Sequence, residues 1–466
     1  MLRRIMRITG ATAILWALPA ASASAHGLPS PPGVPVPAYL FSWGAGIVLV
    51  LSFIGLGALW SQPRLEGAEA RPLLTVPRGA DPLCGAVGVA LFALVVYAGF
   101  DGTAVPARNL APTFVYVLFW VGLVPVTLVF GDVFSAFNPW RALGRAFGRL
   151  TALLPEGYVA PSLEYPRRLG RWPAVAGLAA FAWLELVDPS RSAPETVAKA
   201  ALIYAAIQLG GMALFGVESW TRRGDAFAGY FGLIAGLSPL QREGRQIVFR
   251  SPLAAGTALV AAPGTVALLC VMIGSTGFDG LSATGEWSQL SPSLEHAFLG
   301  LGASASSAVQ LTAGTGLAAM IALVAVVYRL GVAGMRSVDR SGEGGDLAQR
   351  FVHTLVPIAA AYVLAHYFTF LVFQGQAIPT LASDPLGTAG LATATINYRL
   401  ISPSMVWYFQ VGALVAGHVA ALVLAHDRAL LVFRRGRTAV RSQYWMLIVM
   451  VGYTSLGLFL LASIKR

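Results

Sequence analysis

The sequence predicts an all-α protein, a polytopic membrane helix bundle with about ten transmembrane helices after a cleaved signal peptide and with long outer loops. Three observations lead to this fold class. Hydrophobic residues make up 56% of the 466 residues and charged residues only 11%, which is too little polar surface to coat a soluble globule of this size. Apolar runs long enough to cross a bilayer recur along the chain. The N-terminal segment has the form of an export signal.

The export signal occupies the first 25 residues. Three arginines precede an apolar run over 8–18, and Ala23-Ser24-Ala25 then provides the small-x-small pattern that signal peptidase cleaves. Residues 1–25 are therefore predicted to be removed, which leaves 26–466 as a single integral membrane domain. The mature chain would begin at His26, outside the cytoplasm.

Ten apolar runs are candidates for helices that cross a hydrocarbon core, which takes roughly 20 helical residues. They are Tyr39 to Trp60, Pro82 to Phe100, Ala111 to Phe130, Trp172 to Val187, Thr196 to Val217, Pro252 to Thr276, Gln310 to Ala333, Arg350 to Gln374, Pro403 to Ala425 and Gln443 to Ile464. If the first run starts outside, the cytoplasmic loops carry 22 basic residues and the opposite side carries five. Because this bias agrees with the signal peptide, we expect a bacterial inner-membrane protein whose mature N-terminus is outside the cytoplasm.

The net charge of +11 comes almost wholly from arginines in short loops between apolar runs. Anionic lipid head groups are the usual partners of such loops, and we predict no nucleic-acid site. In the inner loop 132–171, Arg141, Arg145 and Arg149 recur every four residues, which predicts an interfacial helix with one basic face.

Two long outer loops, 277–309 and 375–402, are rich in Gly, Ser, Thr and Pro and hold most of the exposed acids. Loops of this length in a compact domain are usually functional or disordered. We expect them to form a cap over the outer face. The segment from Asp225 to Leu240 is apolar but too short to cross, so it is predicted to lie in the interface or to re-enter.

Ionisable side chains in or beside the membrane are the candidates for chemistry, because each is costly there unless it is paired or hydrated. His366 lies about two turns from the outer end of its predicted helix, at a depth where outer loops could close over a cavity. His26 would offer an α-amine and an imidazole, and with His366 and His296 it could bind a divalent copper or zinc ion. The candidate general bases or further ligands are Asp101, Asp279 and Glu286.

Structural interpretations of the same residues remain open. Asp101 and Asp279 each follow a predicted helix end and precede a glycine, which also suits an Asx turn. Glu185 and Lys199 fall at similar depths on neighbouring antiparallel helices, so they are predicted to form an ion pair. Three other histidines are expected to bond to a neighbouring helix, to backbone or to lipid: His353, His418 and His426.

Several short segments resemble the bacterial membrane-bound fenitrothion hydrolases, a family of organophosphorus hydrolases. The matching segments are His26-Gly27-Leu28, Val34-Pro35-Val36-Pro37 leading into Tyr39-Leu40-Phe41-Ser42-Trp43-Gly44, Trp60 to Leu65, Phe100-Asp101-Gly102, Gly131-Asp132 and Asn138-Pro139-Trp140. The resemblance implies a multi-span enzyme that cleaves the P–O aryl ester of a lipophilic triester such as fenitrothion. It lends no catalytic residues.

A metal-activated water at the outer face would provide the nucleophile for this reaction. The HxH motif of soluble phosphotriesterases is absent from the sequence. The alternative is a membrane transporter or a copper-handling protein without dedicated hydrolase activity, with His366 and His418 along a path. A path would place polar groups at successive depths, whereas an enzyme would cluster them under the outer cap.

Overall fold

A computed structural model describes residues 38–67, 69–153, 155, 162–259, 261–338, 346–391, 393–433 and 436–463. The predicted signal peptide and His26 lie outside the described residues. The described part is mostly helical, which confirms the all-α class. Short 3₁₀ turns occur at Pro106–Arg108, Val352–Thr354 and Gly375–Ala377.

The helices follow one another along the chain with mostly short connections. In order they are α1 (Ala38–Leu59), α2 (Ala80–Asp101), α3 (Leu110–Phe130), α4 (Val133–Phe137), α5 (Pro139–Thr151), α6 (Trp172–Leu186), α7 (Pro194–Phe215), α8 (Val217–Arg223), α9 (Ala226–Ala235), α10 (Ala254–Thr257), α11 (Thr265–Ser282), α12 (Gly285–Gly300), α13 (Ala305–Val338), α14 (Leu347–Phe351), α15 (Leu355–Gln374), α16 (Ile378–Ser383), α17 (Pro403–Val432) and α18 (Gly436–Ser463). The middle of α3, Phe114–Gly122, is a π-helix.

Each of the ten predicted apolar runs overlaps one of these helices. Among the described residues, seven helical segments are long and apolar enough to cross a membrane: Ala80–Asp101, Leu110–Phe130, Pro194–Phe215, Thr265–Ser282, Ala305–Val338, Leu347–Ser383 and Pro403–Val432. Shorter apolar helices occur at Trp43–Leu59, Trp172–Leu186 and Ala226–Ala235. The chain is a multi-pass membrane protein.

Two of these segments form the interior of the bundle. In α11 and in Leu347–Ser383, 78% of the most apolar window is buried by protein, against 28–39% in the other five segments. The helix α11 contacts α6, α13 and α15, and α15 also contacts α3 and α17. Polar side chains on α11 and α15 are therefore shielded by protein on nearly all sides.

The helix α11 begins and ends later than its predicted run, Pro252 to Thr276. Pro263 interrupts the N-terminal part, and Gly264 adopts a left-handed conformation with φ of +87° before the helix starts at Thr265. The helix then continues to Ser282, beyond the predicted end. The prediction that Asp279 sits in a turn after the helix is therefore wrong, because Asp279 lies in the last turns of the helix.

The predicted outer loop 277–309 is also mostly helical. Thr284 caps α12 by accepting a hydrogen bond from the Trp287 backbone N–H at 3.3 Å. The Trp287 ring packs edge-on against Phe278, with 5.2 Å between ring centroids. This contact ties the start of α12 to the end of α11, and the rest of α12 packs along α13.

The second predicted outer loop, 375–402, contains α16 and then an irregular stretch. The Asp384 carboxylate accepts hydrogen bonds from the Thr388 and Ala389 backbone N–H groups at 3.1 and 3.0 Å. The Arg108 guanidinium donates to the Gly387 carbonyl at 3.2 Å, which ties this stretch to the connection between α2 and α3.

Three short antiparallel strands form a small sheet: β1 (Arg71–Thr75), β2 (Leu240–Glu243) and β3 (Gln246–Phe249), in the order β1-β3-β2. The sheet joins the connection after α1 to the segment after α9. The predicted interfacial or re-entrant segment contains α9, whose residues are mostly buried by protein.

A polar cluster at the start of α9 explains the Asn138-Pro139-Trp140 segment. Asn138 caps α5, and its Nδ2 amide donates to Asp225 Oδ2 at 2.8 Å. Asp225 is fully buried, caps α9 through the Phe227 and Ala228 backbone N–H groups, and accepts the Tyr204 hydroxyl at 2.9 Å. This cluster joins three helices and accounts for the motif structurally.

Candidate functional site

The interior helices α11 and α15 bring an acid and a histidine together. His366 Nε2 lies 2.9 Å from Asp279 Oδ2, and the exposed fractions of the two residues are 7% and 4%. When Asp279 is ionised, its carboxylate accepts a hydrogen bond from the Nε2–H of His366, which leaves Nδ1 as the acceptor nitrogen. This pair has the arrangement of an oriented general base.

Gly280 of α11 leaves a space open beside the His366 ring. Gly280 follows Asp279, and a methyl group added at Gly280 would lie 3.6 Å from His366 Cε1 and 3.7 Å from Nδ1. The gap between the Gly280 backbone and the His366 ring is therefore about the size of one methyl group. The side of the ring that carries Nδ1 faces a space that a larger residue would fill.

A cavity of about 20 Å³ adjoins His366 at this point. Its lining residues come from α11, α15, α17 and α18: Thr276, Gly277, Gly280, Tyr362, Ala365, His366, Leu414 and Gly457. A cavity of this volume has room for about one water molecule. His366 is the lining residue whose side chain can serve as a proton acceptor.

Tyr367 and Glu185 extend the polar site to α6. The Tyr367 side chain interacts with both Asp279 and Glu185, and its ring lies edge-on to His366 with 4.8 Å between ring centroids. Glu185 lies in the last turn of α6 and is only 2% exposed. Two carboxyl groups, a phenol and an imidazole therefore share one buried region.

The predicted ion pair between Glu185 and Lys199 is wrong. Lys199 Nζ lies 2.6 Å from Glu195 Oε1, one turn earlier on its own helix, and both of those side chains are largely exposed. Glu185 forms no salt bridge with any described residue, and its Oε1 atom has no hydrogen-bond partner among them. The sequence does not indicate Glu185 as a member of the site, because Lys199 on the neighbouring helix is a plausible ion-pair partner at a similar depth.

Aromatic side chains form the wall beside Glu185. Trp120 on α3 packs on Tyr230 of α9 with 4.6 Å between ring centroids, and on Phe181 of α6 at 4.8 Å. Phe181 lies one turn before Glu185 on the same helix. The Tyr230 hydroxyl is buried and has no hydrogen-bond partner among the described residues. The wall excludes water and lowers the local dielectric constant.

The structure brings together two of the residues that the sequence proposed, Asp279 and His366. Asp101 is the exposed last residue of α2, and Glu286 is exposed in the first turn of α12. His296 is exposed on α12. Among the described residues, no group of three or more His, Cys, Asp or Glu side chains is placed to hold a metal ion.

The remaining histidines have structural surroundings. His418 Nδ1 lies 2.8 Å from the Leu414 carbonyl of its own helix. The sequence predicts a partner on a neighbouring helix instead, so that expectation is wrong for Nδ1. His426 is buried, with Nε2 at 2.9 Å from the Trp60 carbonyl. His353 is buried and interacts with the Arg350 and Leu424 backbone. The expected backbone partners are confirmed for His353 and His426.

No family model matches this chain, and no curated protein and no solved structure matches it. The site is therefore interpreted from its own geometry.

Proposed function

We propose that this chain is a membrane-embedded hydrolase in which the Asp279–His366 pair activates a water molecule against a lipophilic organophosphorus triester. The observation that carries the proposal is the 2.9 Å contact between His366 Nε2 and Asp279 Oδ2 beside a water-sized cavity. The substrate class follows from the resemblance to fenitrothion hydrolases. We place the chain in a bacterial inner membrane, with the site towards the outer face.

The pair would act as a general base. Asp279 holds the imidazole through Nε2–H, so His366 Nδ1 can remove a proton from water in the cavity. The water oxygen forms a bond to phosphorus as the P–O bond to the aryl group breaks. The electron pair leaves with the aryl oxide, the proton stays on Nδ1, and the other product is a phosphorus diester.

The buried surroundings support this chemistry. A neutral triester partitions into lipid, and a site enclosed by membrane helices meets it at high local concentration. The cavity beside His366 is lined in part by the Tyr362 ring and the apolar side chains of Ala365 and Leu414, which offer a mainly apolar surface to an aryl group. Because the cavity holds only about one water molecule, the triester reaches it when neighbouring helices separate.

The polar side chains cluster near the ends of α6 and α11, at one depth of the bundle, which favours an enzyme over a transport path. Asp279 lies three residues before the end of α11 and Glu185 one residue before the end of α6. Both acids interact with Tyr367. His418, the other residue of the path that the sequence suggested, is bonded within its own helix.

The proposal is tested with protein purified in detergent and an aryl thionophosphate that releases a coloured nitrophenol. We expect wild-type turnover, and a loss on the order of 10²–10⁴-fold in Asp279→Asn. Glu195→Gln, which changes an exposed carboxylate, serves as the matched control and should retain wild-type turnover.

A chelator arm and a measurement of bound metal accompany the assay. Turnover that survives chelation supports the Asp279–His366 base acting alone. Turnover that is lost together with a bound metal ion assigns water activation to the metal. Absence of nitrophenol release by monodisperse wild-type protein contradicts the proposed function.

A further inference from the structure

Glu185 is a buried acid that the hydrolytic step does not use. It is 2% exposed and lies between the aromatic wall and Tyr367. The charged and titratable groups that act on it are Asp279 on α11, Tyr367 on α15, Tyr230 on α9, Tyr116 on α3 and Arg191 after α6.

Arg191 and Tyr367 compensate a negative charge on Glu185 only in part, because burial and the Asp279 carboxyl group outweigh them. Arg191 forms no salt bridge with it among the described residues, and the Arg191 carbonyl accepts the Tyr116 hydroxyl at 2.9 Å. Asp279 adds a second carboxyl group to the same region. An ionised carboxylate buried without a paired cation is strongly unfavourable. A protonated carboxyl group removes that penalty and supplies one donor.

Tyr367 connects Glu185 to the rest of the site. Its hydroxyl can accept a proton from one side while it gives its own proton to the other. It interacts with Glu185 and with Asp279, which in turn contacts His366 at 2.9 Å. Glu185, Tyr367, Asp279 and His366 thus form a continuous series of groups, each of which can bind and release a proton.

We propose that Glu185 is a proton-binding site that carries a proton at neutral pH and exchanges it through the Tyr367 hydroxyl with the Asp279–His366 pair. In one exchange, the Glu185 proton moves to the Tyr367 oxygen as the Tyr367 proton moves to Asp279. Glu185 loses one proton, Asp279 gains one, and Tyr367 is unchanged. No bond between heavy atoms changes. The site depends on the geometry of Glu185 and not on the proposed hydrolysis.

A hydrophobic carbodiimide tests the charge state directly. Dicyclohexylcarbodiimide adds to a protonated carboxyl group in apolar surroundings, and the O-acylisourea rearranges to a stable N-acylurea. Purified full-length protein is treated at neutral pH and mapped by peptide mass spectrometry. We expect the adduct on Glu185 and its loss in Glu185→Gln. Glu195, which is exposed and paired with Lys199, is the internal control and should remain unmodified.

Infrared spectroscopy provides a second measurement that needs no reagent access. We expect a carbonyl band of a protonated carboxylic acid that shifts in D₂O and disappears in Glu185→Gln, whereas Glu195→Gln leaves it unchanged. In Tyr367→Phe the band should persist at a shifted frequency, because Glu185 keeps its proton but loses its hydroxyl neighbour.

The outcomes separate this inference from the proposed function. A protonated Glu185 in protein that releases no nitrophenol supports the proton site and rejects the hydrolase. Folded Glu185→Gln protein with an unchanged infrared carboxylic acid band overturns the proton site, whatever the turnover. A band that is identical in wild type and Tyr367→Phe overturns the connection through Tyr367.

Discussion

His366 and Asp279 are 87 residues apart in the chain, yet their side chains meet at 2.9 Å inside the helix bundle. The contact joins the two most buried helical segments, and neither residue is exposed beyond 7%. If the two residues act together in the reaction, replacing either one should affect turnover about as much as replacing both.

Replacement of both residues should reduce turnover by nearly the same factor as replacement of one. We expect Asp279→Asn and His366→Gln each to reduce turnover on the order of 10²–10⁴-fold, and the double variant to lie within about tenfold of the slower single variant. Steady-state rates of the four proteins form the cycle. Multiplied losses in the double variant would show that the two residues act independently.

Gly280→Ala should stop turnover without disturbing the fold. The added methyl group lies 3.6 Å from His366 Cε1, an ordinary contact distance, but it fills the space beside Nδ1. The variant should keep the wild-type melting temperature and lose most nitrophenol release. Gly210→Ala, whose methyl group meets no atom within 4 Å, is the matched control with unchanged turnover. Full activity in Gly280→Ala would separate the cavity from the reaction.

Asp225→Ala should lower the free energy of unfolding more than the loss of an exposed helix cap does. Asp225 is fully buried, and its loss leaves the Asn138 amide and the Tyr204 hydroxyl without their acceptor. We expect destabilisation of more than about 2 kcal/mol. Asp346→Ala removes an exposed cap of α14 and should cost about 1 kcal/mol. Equal melting temperatures of the two variants would rule out a special role for the Asp225 cluster.

The helix α5 should lose an anchor at low pH. Burial raises the pKa of the Glu218 carboxyl, but hydrogen bonds and charges from Arg141 and Arg145 outweigh burial and hold its pKa below the ordinary value. The stabilisation is therefore present above the pKa of an unfolded glutamate, about 4.3, and is lost as the pH falls through the lower folded value. Wild type should melt above Glu218→Gln at neutral pH, and the difference should vanish in acid. A pH-independent difference would contradict the ionic contribution.

The positions of the helices could be predicted because hydropathy reports burial in lipid or protein, and each apolar run became a helix. Polar contacts between helices could not be predicted in the same way. Arg141 and Arg145 lie on the predicted helix, but Glu218 from α8 binds them at 2.7 and 2.8 Å. Of the three arginines assigned to lipid, Arg149 remains exposed and without a salt bridge among the described residues.

The site was predicted only in part. His366 and Asp279 were identified because ionisable residues near apolar helices are rare, but Asp279 was assigned to a turn. Gly264 adopts a left-handed conformation, and α11 starts after it at Thr265. The helix then extends to Ser282 and so includes Asp279. The sequence suggests Lys199 as the ion-pair partner of Glu185 because the two residues are close in the chain. Lys199 instead pairs with Glu195, which lies one helical turn before it on the same helix. Long-range packing of α6 against α11 decides where Glu185 points.

The role of His366 as the base is best checked by the initial rate of nitrophenol release in His366→Ala, compared with wild type at equal amounts of monodisperse protein. We expect a rate at least about 10²-fold below wild type in a protein that remains folded. A folded His366→Ala protein that releases nitrophenol at the wild-type rate would contradict it.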